Sequence, residues 1–183
     1  MAKRTRNLAM AAMAAMVLGT PGLSVAADAI AGNQPMPGSH VRSSNSALIA
    51  LIEQAGERSA TFRSLIDTIN ASDSIVFVEA GDCGHGVRAC FVSVAASGAY
   101  RYMRVVVDTH KADSDLMGSI GHELRHTIEV IDVPAVRNNN SKFFLYQQIG
   151  RRGTGSGARE TQAAVDTGNT VRAEIRRFNQ QAQ

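Results

Sequence analysis

The sequence predicts an α+β fold in one domain: N-terminal helices, a short and mostly antiparallel sheet, and two later helices. Apolar residues recur at helical spacing within residues 44–57 and 114–131, and from about residue 160 to 178. Three runs rich in β-branched and aromatic residues, placed before residue 114, predict strands. Of the 183 residues, 156 follow residue 27, which is enough for a single hydrophobic core.

Residues 1–27 have the pattern of a secretory signal peptide. Three basic residues precede the apolar run Leu8 to Leu18, and Ser24 to Ala27 supplies small residues for cleavage. The run is too short to span a bilayer comfortably, which argues against an uncleaved anchor. We therefore expect a secreted or periplasmic protein with no stable membrane association after cleavage. Residues 28–43, which contain Pro35 and Pro37, predict a flexible segment before the domain.

The charge of the chain gives no indication of a nucleic-acid partner. The formal charge of +3 falls to 0 when the three basic residues of the signal segment are removed, because that segment has no acidic residue. A neutral mature chain lacks the excess of positive charge that draws a protein to nucleic acid or to an acidic membrane. The sequence does not indicate an oligomeric state.

Two helices and three strands come first in the predicted domain. Residues 44–57 form the first helix, and Ser59 is a candidate N-cap for the second. The turn signal Ser97-Gly98 joins the second and third strands and predicts an antiparallel pair. The predicted strands are Ser74–Glu79, Ala89–Ala95 and Tyr100–Asp108.

The predicted helix 114–131 carries the motif His122-Glu123-Leu124-Arg125-His126. Helical residues four apart lie one above the other, so the two histidines could bind one metal ion. Glu123 could then take a proton from a water on that ion. N-cap candidates around Asp113 begin this helix, and Pro134 ends it. One face is apolar and predicts a place in the core, formed by Leu116, Met117, Ile120, Leu124, Thr127, Ile128 and Ile131.

The segment from Gly121 to His126 resembles the active-site helix of the zincin metallopeptidases, whose HExxH motif it matches residue for residue. The resemblance covers this helix and one later segment. It implies a small zincin-like domain over residues 44–183, one bound Zn²⁺, and hydrolysis of a peptide or protein substrate with Glu123 as general base. An edge strand beside the metal could hold an extended peptide by strand addition.

Catalytic zinc usually has three protein ligands and one open position. Gluzincins take the third ligand from a glutamate on a later helix, and residues 156–161 open such a helix here. Glu160 lies at the N-terminal end of its apolar stripe, so the resemblance implies His122, His126 and Glu160 as ligands. The alternative for Glu160 is a helix-start glutamate favoured by the helix dipole. The predicted stripe continues through Ala164, Thr167, Val171, Ile175 and Phe178.

Three further residues are candidates around the metal. Glu129 lies on the histidine face of its helix and is a candidate partner for an imidazole N–H. Asp132 occupies the position at which metzincins have their third ligand, but the helix-breaking glycine of that family is missing, so we expect at most a similar supporting role. Tyr146, the one tyrosine after the motif, is a candidate to stabilise the transition state, or a packing residue.

Cys83 and Cys90 form an even pair, and export predicts a disulfide between them. The alternative role of these cysteines is metal ligation in a deformylase-like metal amidase, because peptide deformylases also resemble this arrangement, with a metal-binding cysteine before HExxH.

The other alternative to a peptidase is a non-catalytic, zinc-containing binding protein on a zincin scaffold. A structural zinc site has no need for Glu123, which favours the peptidase.

Overall fold

The computed structural model describes residues 38–84, 86–111, 113–152 and 159–182. The predicted signal peptide, residues 28–37 of the predicted flexible segment and residues 156–158 of the predicted helix start lie outside the described residues. Residues 38–43, assigned by the sequence to the flexible segment, include a short strand at Val41–Arg42.

The described residues form an α+β fold of five helices and six strands. No helix in these ranges is long and apolar enough to cross a membrane. The helices are α1 Ser46–Arg58, α2 Ala60–Asn70, α3 Ser114–Ile131, α4 Asn139–Ile149 and α5 Gln162–Gln181. The strands are β1 Val41–Arg42, β2 Ser74–Ala80, β3 Ala89–Ser97, β4 Tyr100–Val107, β5 Arg151–Arg152 and β6 Arg159–Glu160.

Side-chain caps set where the first two helices begin. The Asn45 side chain accepts hydrogen bonds from the first backbone amides of α1. The predicted N-cap Ser59 is confirmed, because its hydroxyl oxygen accepts from the Phe62 amide at 3.0 Å. The same hydroxyl donates to the Glu174 carboxylate of α5 at 2.5 Å. The cap therefore also attaches the start of α2 to the C-terminal helix.

The main sheet is mixed, with strand order β1-β2-β4-β3. The predicted hairpin is present: β3 and β4 are antiparallel, and Gly98 adopts the positive φ of +56° that their turn requires. The expectation of a mostly antiparallel sheet is wrong, because β1–β2 and β2–β4 are both parallel pairs. After the β3 reversal, β4 runs in the direction of β2 and inserts beside it, which leaves β3 at the edge.

The motif helix α3 has the predicted bounds, and it is buried along most of its length. Its apolar face packs in the core, where Leu116, Ile120 and Leu124 are fully buried. Its C-terminal carbonyls are held by Arg101 of β4, which is 2% exposed and donates to Val130 O at 2.7 Å. Asp73 pairs with the same guanidinium at 2.6 Å, so the buried charge is neutralised. These contacts fix one end of α3 against the sheet.

Helix α5 crosses α3 closely because glycines lie where the two helices meet. A Cβ atom at Gly168 would lie 3.0 Å from Gly118 O and 3.1 Å from His122 Cβ. The buried stripe of α5 is Ala164, Gly168, Val171 and Ile175. The predicted stripe is therefore wrong at Thr167, which is only partly buried, and at Phe178, which is 44% exposed. The glycine at 168, rather than a larger apolar side chain, takes the position nearest α3.

Candidate metal centre

Three side chains from two separate segments meet beside α3. Glu160 Oε2 lies 2.8 Å from His122 Nε2 and 3.4 Å from His126 Nε2. The ligating atoms of all three residues lie within 4.8 Å of one another, and the group could hold a metal ion. The predicted ligand set is thus brought together in space, although the glutamate follows the second histidine by 34 positions in the sequence.

The segment that supplies Glu160 differs from the prediction. Glu160 belongs to β6, where it pairs with Arg151 of β5, and it does not lie on the apolar stripe of α5. Thr161 is the N-cap of α5, and its hydroxyl accepts from the Ala164 amide at 3.1 Å. Because the cap lies after Glu160, the glutamate is extended, and its side chain is 40% exposed. The expectation that the C-terminal helix carries the third ligand is wrong, because Glu160 lies on β6, directly before the N-cap residue of α5.

The spacing of these groups can be compared with that of ligands around a metal ion. Ligand atoms at 2.0–2.1 Å around a tetrahedral ion lie about 3.4 Å from one another. The distance from Glu160 Oε2 to His126 Nε2 is 3.4 Å. Oε2 is 2.8 Å from His122 Nε2, and it is buried with no hydrogen-bond partner among the described residues. An unpartnered carboxylate oxygen between two imidazoles is an arrangement that could hold a metal ion.

Glu129 orients the second histidine. Its Oε2 lies 2.8 Å from His126 Nδ1, while its Oε1 accepts from the Thr161 hydroxyl at 2.5 Å. All three side chains are buried. The predicted contact between Glu129 and an imidazole is therefore present, and it leaves Nε2 of His126 directed at the shared centre. The sequence analysis did not identify Thr161 as part of the site. The signal that could have found it is its position, directly after the candidate ligand Glu160 and at the start of a helix.

The carboxylates around His126 make the site a strong binder of positive charge. Burial opposes protonation of the His126 ring, but the carboxylate of Glu129 at Nδ1 and the nearby carboxylate of Glu160 outweigh it and raise the His126 pKa to about 9. The imidazoles of His122 and His126 hold the pKa of Glu160 at about 2. A divalent cation can replace the proton between these groups, since metal ligands bind in their deprotonated forms.

Glu123 is buried beside the shared centre. The residue is 8% exposed, and its Oε1 lies 3.9 Å from His122 Nε2. Burial raises the pKa of Glu123 to about 7, although the neighbouring histidines act in the opposite direction. A carboxyl group with a pKa near 7 can both accept and release a proton at neutral pH, which suits general acid–base chemistry.

Tyr146 packs against His126 and lines the same cavity. Its ring makes an edge-on contact with the imidazole, with centroids 5.2 Å apart. Its hydroxyl donates to the backbone carbonyl of His126 at 2.9 Å, and burial raises the Tyr146 pKa above its ordinary value. The hydroxyl is therefore protonated and already engaged with α3.

Two acidic residues near the ends of the ligand segments, the candidate Asp132 and Asp166 of α5, do not reach the site. Asp132 is exposed at the C-cap of α3, and among the described residues it makes no hydrogen bond with either histidine. Asp166 is exposed on α5 and accepts a hydrogen bond from Gln162 at 2.8 Å. Asp132 follows the second histidine by six positions, at the end of α3, so the helix places it away from the candidate ligands. Between these two residues α3 has no glycine that would turn the chain back toward them.

A cavity of about 340 Å³ opens beside Glu123, His126 and Glu160. Its remaining wall includes α4 and the disulfide between Cys83 and Cys90, whose sulfur atoms are 2.09 Å apart. The predicted disulfide is therefore confirmed. Its formation leaves neither sulfur as the thiolate that metal ligation by cysteine would need. The volume lies within the range of roughly 300–1,000 Å³ that is typical of small-ligand pockets.

The site combines three convergent ligands, a buried carboxyl group and an adjoining cavity. Metal-assisted hydrolysis uses features of these three kinds. No family model, no curated protein and no solved structure matches this chain.

Proposed function

We propose that this protein is a zinc-dependent peptidase that cleaves a peptide or protein substrate. The observation that carries the proposal is the convergence of His122, His126 and Glu160 beside the buried carboxyl group of Glu123. Two imidazoles and one carboxylate are a ligand set that catalytic zinc sites use, with a further position open to water or substrate. The zincin-like family assignment is part of the same proposal and rests on the HExxH helix.

His122, His126 and Glu160 would hold the zinc ion, which would supply Lewis acidity toward the scissile carbonyl and toward a water with a pKa lowered to about 7. Glu123 would accept the proton of that water, because it is the buried carboxyl group beside the three ligands. Glu123 then donates the proton to the departing amine. Glu129 holds the His126 ring through Nδ1 during both transfers.

We assign Tyr146 to positioning α3 rather than to the oxyanion. Its hydroxyl donates to the His126 carbonyl and would have to give up that bond before it could reach a reacting oxygen. The backbone at His126 is held by this contact, which adds to the control of the ring through Glu129.

Replacing Glu123 by Gln tests the mechanism. The variant keeps the shape of the side chain and all three ligands but cannot accept a proton. We expect unchanged zinc stoichiometry and a fall in peptide hydrolysis of at least about 10²-fold, the usual scale of general base catalysis. Metal analysis and a fluorogenic peptide assay measure the two quantities.

Glu53→Gln is the matched control, because Glu53 is an exposed glutamate on α1. It should change neither quantity. Hydrolysis by Glu123→Gln at the wild-type rate would contradict the mechanism. Stoichiometric zinc without turnover of any peptide by the wild type would favour the alternative, a binding protein on the same scaffold.

We further propose that the protein acts in the periplasm or outside the cell. The Cys83–Cys90 disulfide is compatible with such a location, because disulfides persist in oxidising compartments. The same disulfide counts against a deformylase-like amidase, whose metal-binding cysteine would have to be reduced.

A further inference from the structure

Two positive side chains line the cavity without a carboxylate partner. Lys142 of α4 and Arg159 of β6 both contribute to the wall that contains Glu123, His126 and Glu160. Neither forms a salt bridge with an acidic group in residues 38–84, 86–111, 113–152 or 159–182; Arg159 donates only to Gly150 O, at 3.3 Å. Partly buried cations usually have an anionic partner, so this pair indicates that one comes from outside the chain.

Lys142 is held in place by neutral groups. Its ammonium donates to Phe91 O at 3.1 Å and to Val92 O at 2.7 Å, and it lies 4.5 Å from the centroid of the Phe91 ring. An ammonium group has three N–H donors, so these contacts leave one for a further acceptor. Burial lowers the pKa of Lys142 to about 8, although the nearby Glu123 carboxylate acts in the opposite direction.

The middle of the outer edge of β3 is occupied by the start of α4. The Asn139 side chain accepts from the Val94 amide at 2.8 Å, and the backbone of Asn138 pairs with Ala95. Together with the two carbonyls bound by Lys142, these contacts use outward-facing backbone groups along the middle of the strand. These contacts hinder the addition of an extended peptide to β3 from Phe91 to Ala95. The charged side chains of the cavity are a second means of recognition.

The charge of the cavity wall favours an anion. The carboxylates of Glu123 and Glu160 cancel the charges of Lys142 and Arg159, and a divalent ion at the metal centre adds two positive charges. We propose that Lys142, supported by Arg159, binds a carboxylate of the substrate and so selects peptides with a negative charge close to the scissile bond. This inference rests on the peptidase function proposed above. The carboxylate is either the C-terminus of the substrate or an acidic side chain.

Binding of short peptides to the zinc-loaded Glu123→Gln variant tests this inference without hydrolysis. Calorimetry compares three acetylated peptides: a free acid, its C-terminal amide, and the amide with one internal Asn replaced by Asp. We expect the free acid or the Asp peptide to bind about tenfold more tightly than the neutral amide, the scale of a charge-assisted hydrogen bond. Which of the two gains affinity identifies the source of the carboxylate.

The preference should disappear when Lys142 is replaced by Gln in the same background, and it should persist with Lys142→Arg. Lys111→Gln is the matched control, because Lys111 is an exposed lysine that pairs with Asp113 outside the cavity. Circular dichroism and zinc content show that each variant is folded. The comparison is repeated without zinc, to test whether the peptide carboxylate binds the metal itself. In that case the preference for the charged peptide would disappear when zinc is removed, and it would remain in the Lys142→Gln variant.

Equal affinity for acid and amide, no measurable binding of the charged peptides, or a preference that survives Lys142→Gln would each overturn the inference. Failure of the wild type to hydrolyse any peptide would count against the proposed function instead. The two failures are distinguishable because the affinities are measured on a variant that does not turn over.

Discussion

Glu129 connects the two parts of the chain that supply the candidate ligands. One carboxylate oxygen faces His126 Nδ1, and the other accepts from the hydroxyl of Thr161, the residue next to Glu160. Residues that contact a ligand from behind fix its orientation and its protonation state. Glu129 therefore controls both the direction of the His126 ring and the position of the Glu160 segment.

Replacing Glu129 by Gln should weaken zinc binding. The amide keeps the size of the side chain but is neutral, and it accepts from His126 less strongly than a carboxylate does. We expect the zinc dissociation constant to rise by roughly 10- to 100-fold. Competition with a fluorescent chelator measures it, and Glu53→Gln again serves as the control. An unchanged dissociation constant would show that Glu129 does not orient the ligand.

At the scale of elements, the distance between α3 and α5 sets the geometry of the site. Gly168 lies against the backbone of Gly118 and against Cβ of His122, closer than a side chain would permit. Glu160 precedes α5 by two residues, so the position of this helix determines where the carboxylate meets the histidines. The absence of a side chain at 168 is therefore a condition for the three ligands to converge.

Gly168→Ala should separate the helices and impair the metal site. A Cβ atom 3.0 Å from a helix carbonyl requires a backbone shift, and overpacking of this kind destabilises by about 1–3 kcal/mol. We expect a net loss of stability in urea unfolding together with weaker zinc binding.

Gly56→Ala is the matched control in α1, because nothing lies within 4 Å of a Cβ atom placed there. It should stabilise the protein by about 0.5–1 kcal/mol through helix propensity and leave zinc affinity unchanged. Equal effects of the two substitutions would refute the argument from close approach.

The limits of sequence reasoning follow from the range of the interactions involved. The bounds of α3 were predicted correctly, because Asp113 caps its start and Pro134 follows its end, and both signals are local. The parallel pairing of β2 with β4 was not predicted, because it joins two strands that are separated in sequence by β3. The placement of Glu160 before its helix depends on Thr161 and its contact with Glu129, which is again a long-range interaction.

At the scale of the whole molecule, the metal centre links α3 to the C-terminal part of the chain. The ligands come from β6 and from the helix at the centre of the core. An ion that binds the folded chain and not the unfolded one adds to the free energy of unfolding. The core and the metal should therefore act together in stabilising the domain.

Removing zinc should lower the melting temperature. At a free zinc concentration of about 1,000 times the dissociation constant, bound ion contributes about 4 kcal/mol. For a domain of this size that corresponds to a fall of about 10 °C on chelation. Differential scanning calorimetry with and without chelator, followed by addition of zinc, measures the change.

His126→Ala is the control, because it removes one ligand and should make the melting temperature insensitive to chelator. A wild-type melting temperature that does not respond to chelator would mean that no zinc is bound. A response that His126→Ala retains would place the ion elsewhere in the molecule.

The shielding of β3 by α4 has a consequence for solubility at high concentration. Unpaired strand edges act as templates on which further chains polymerise into fibrils. In the part of the chain that the structure describes, one border of the main sheet is shielded by Asn138, Asn139 and Lys142, and the other consists of the two-residue strand β1. Neither border offers a long run of free amides, so folded molecules crowded together are protected against fibrillar aggregation.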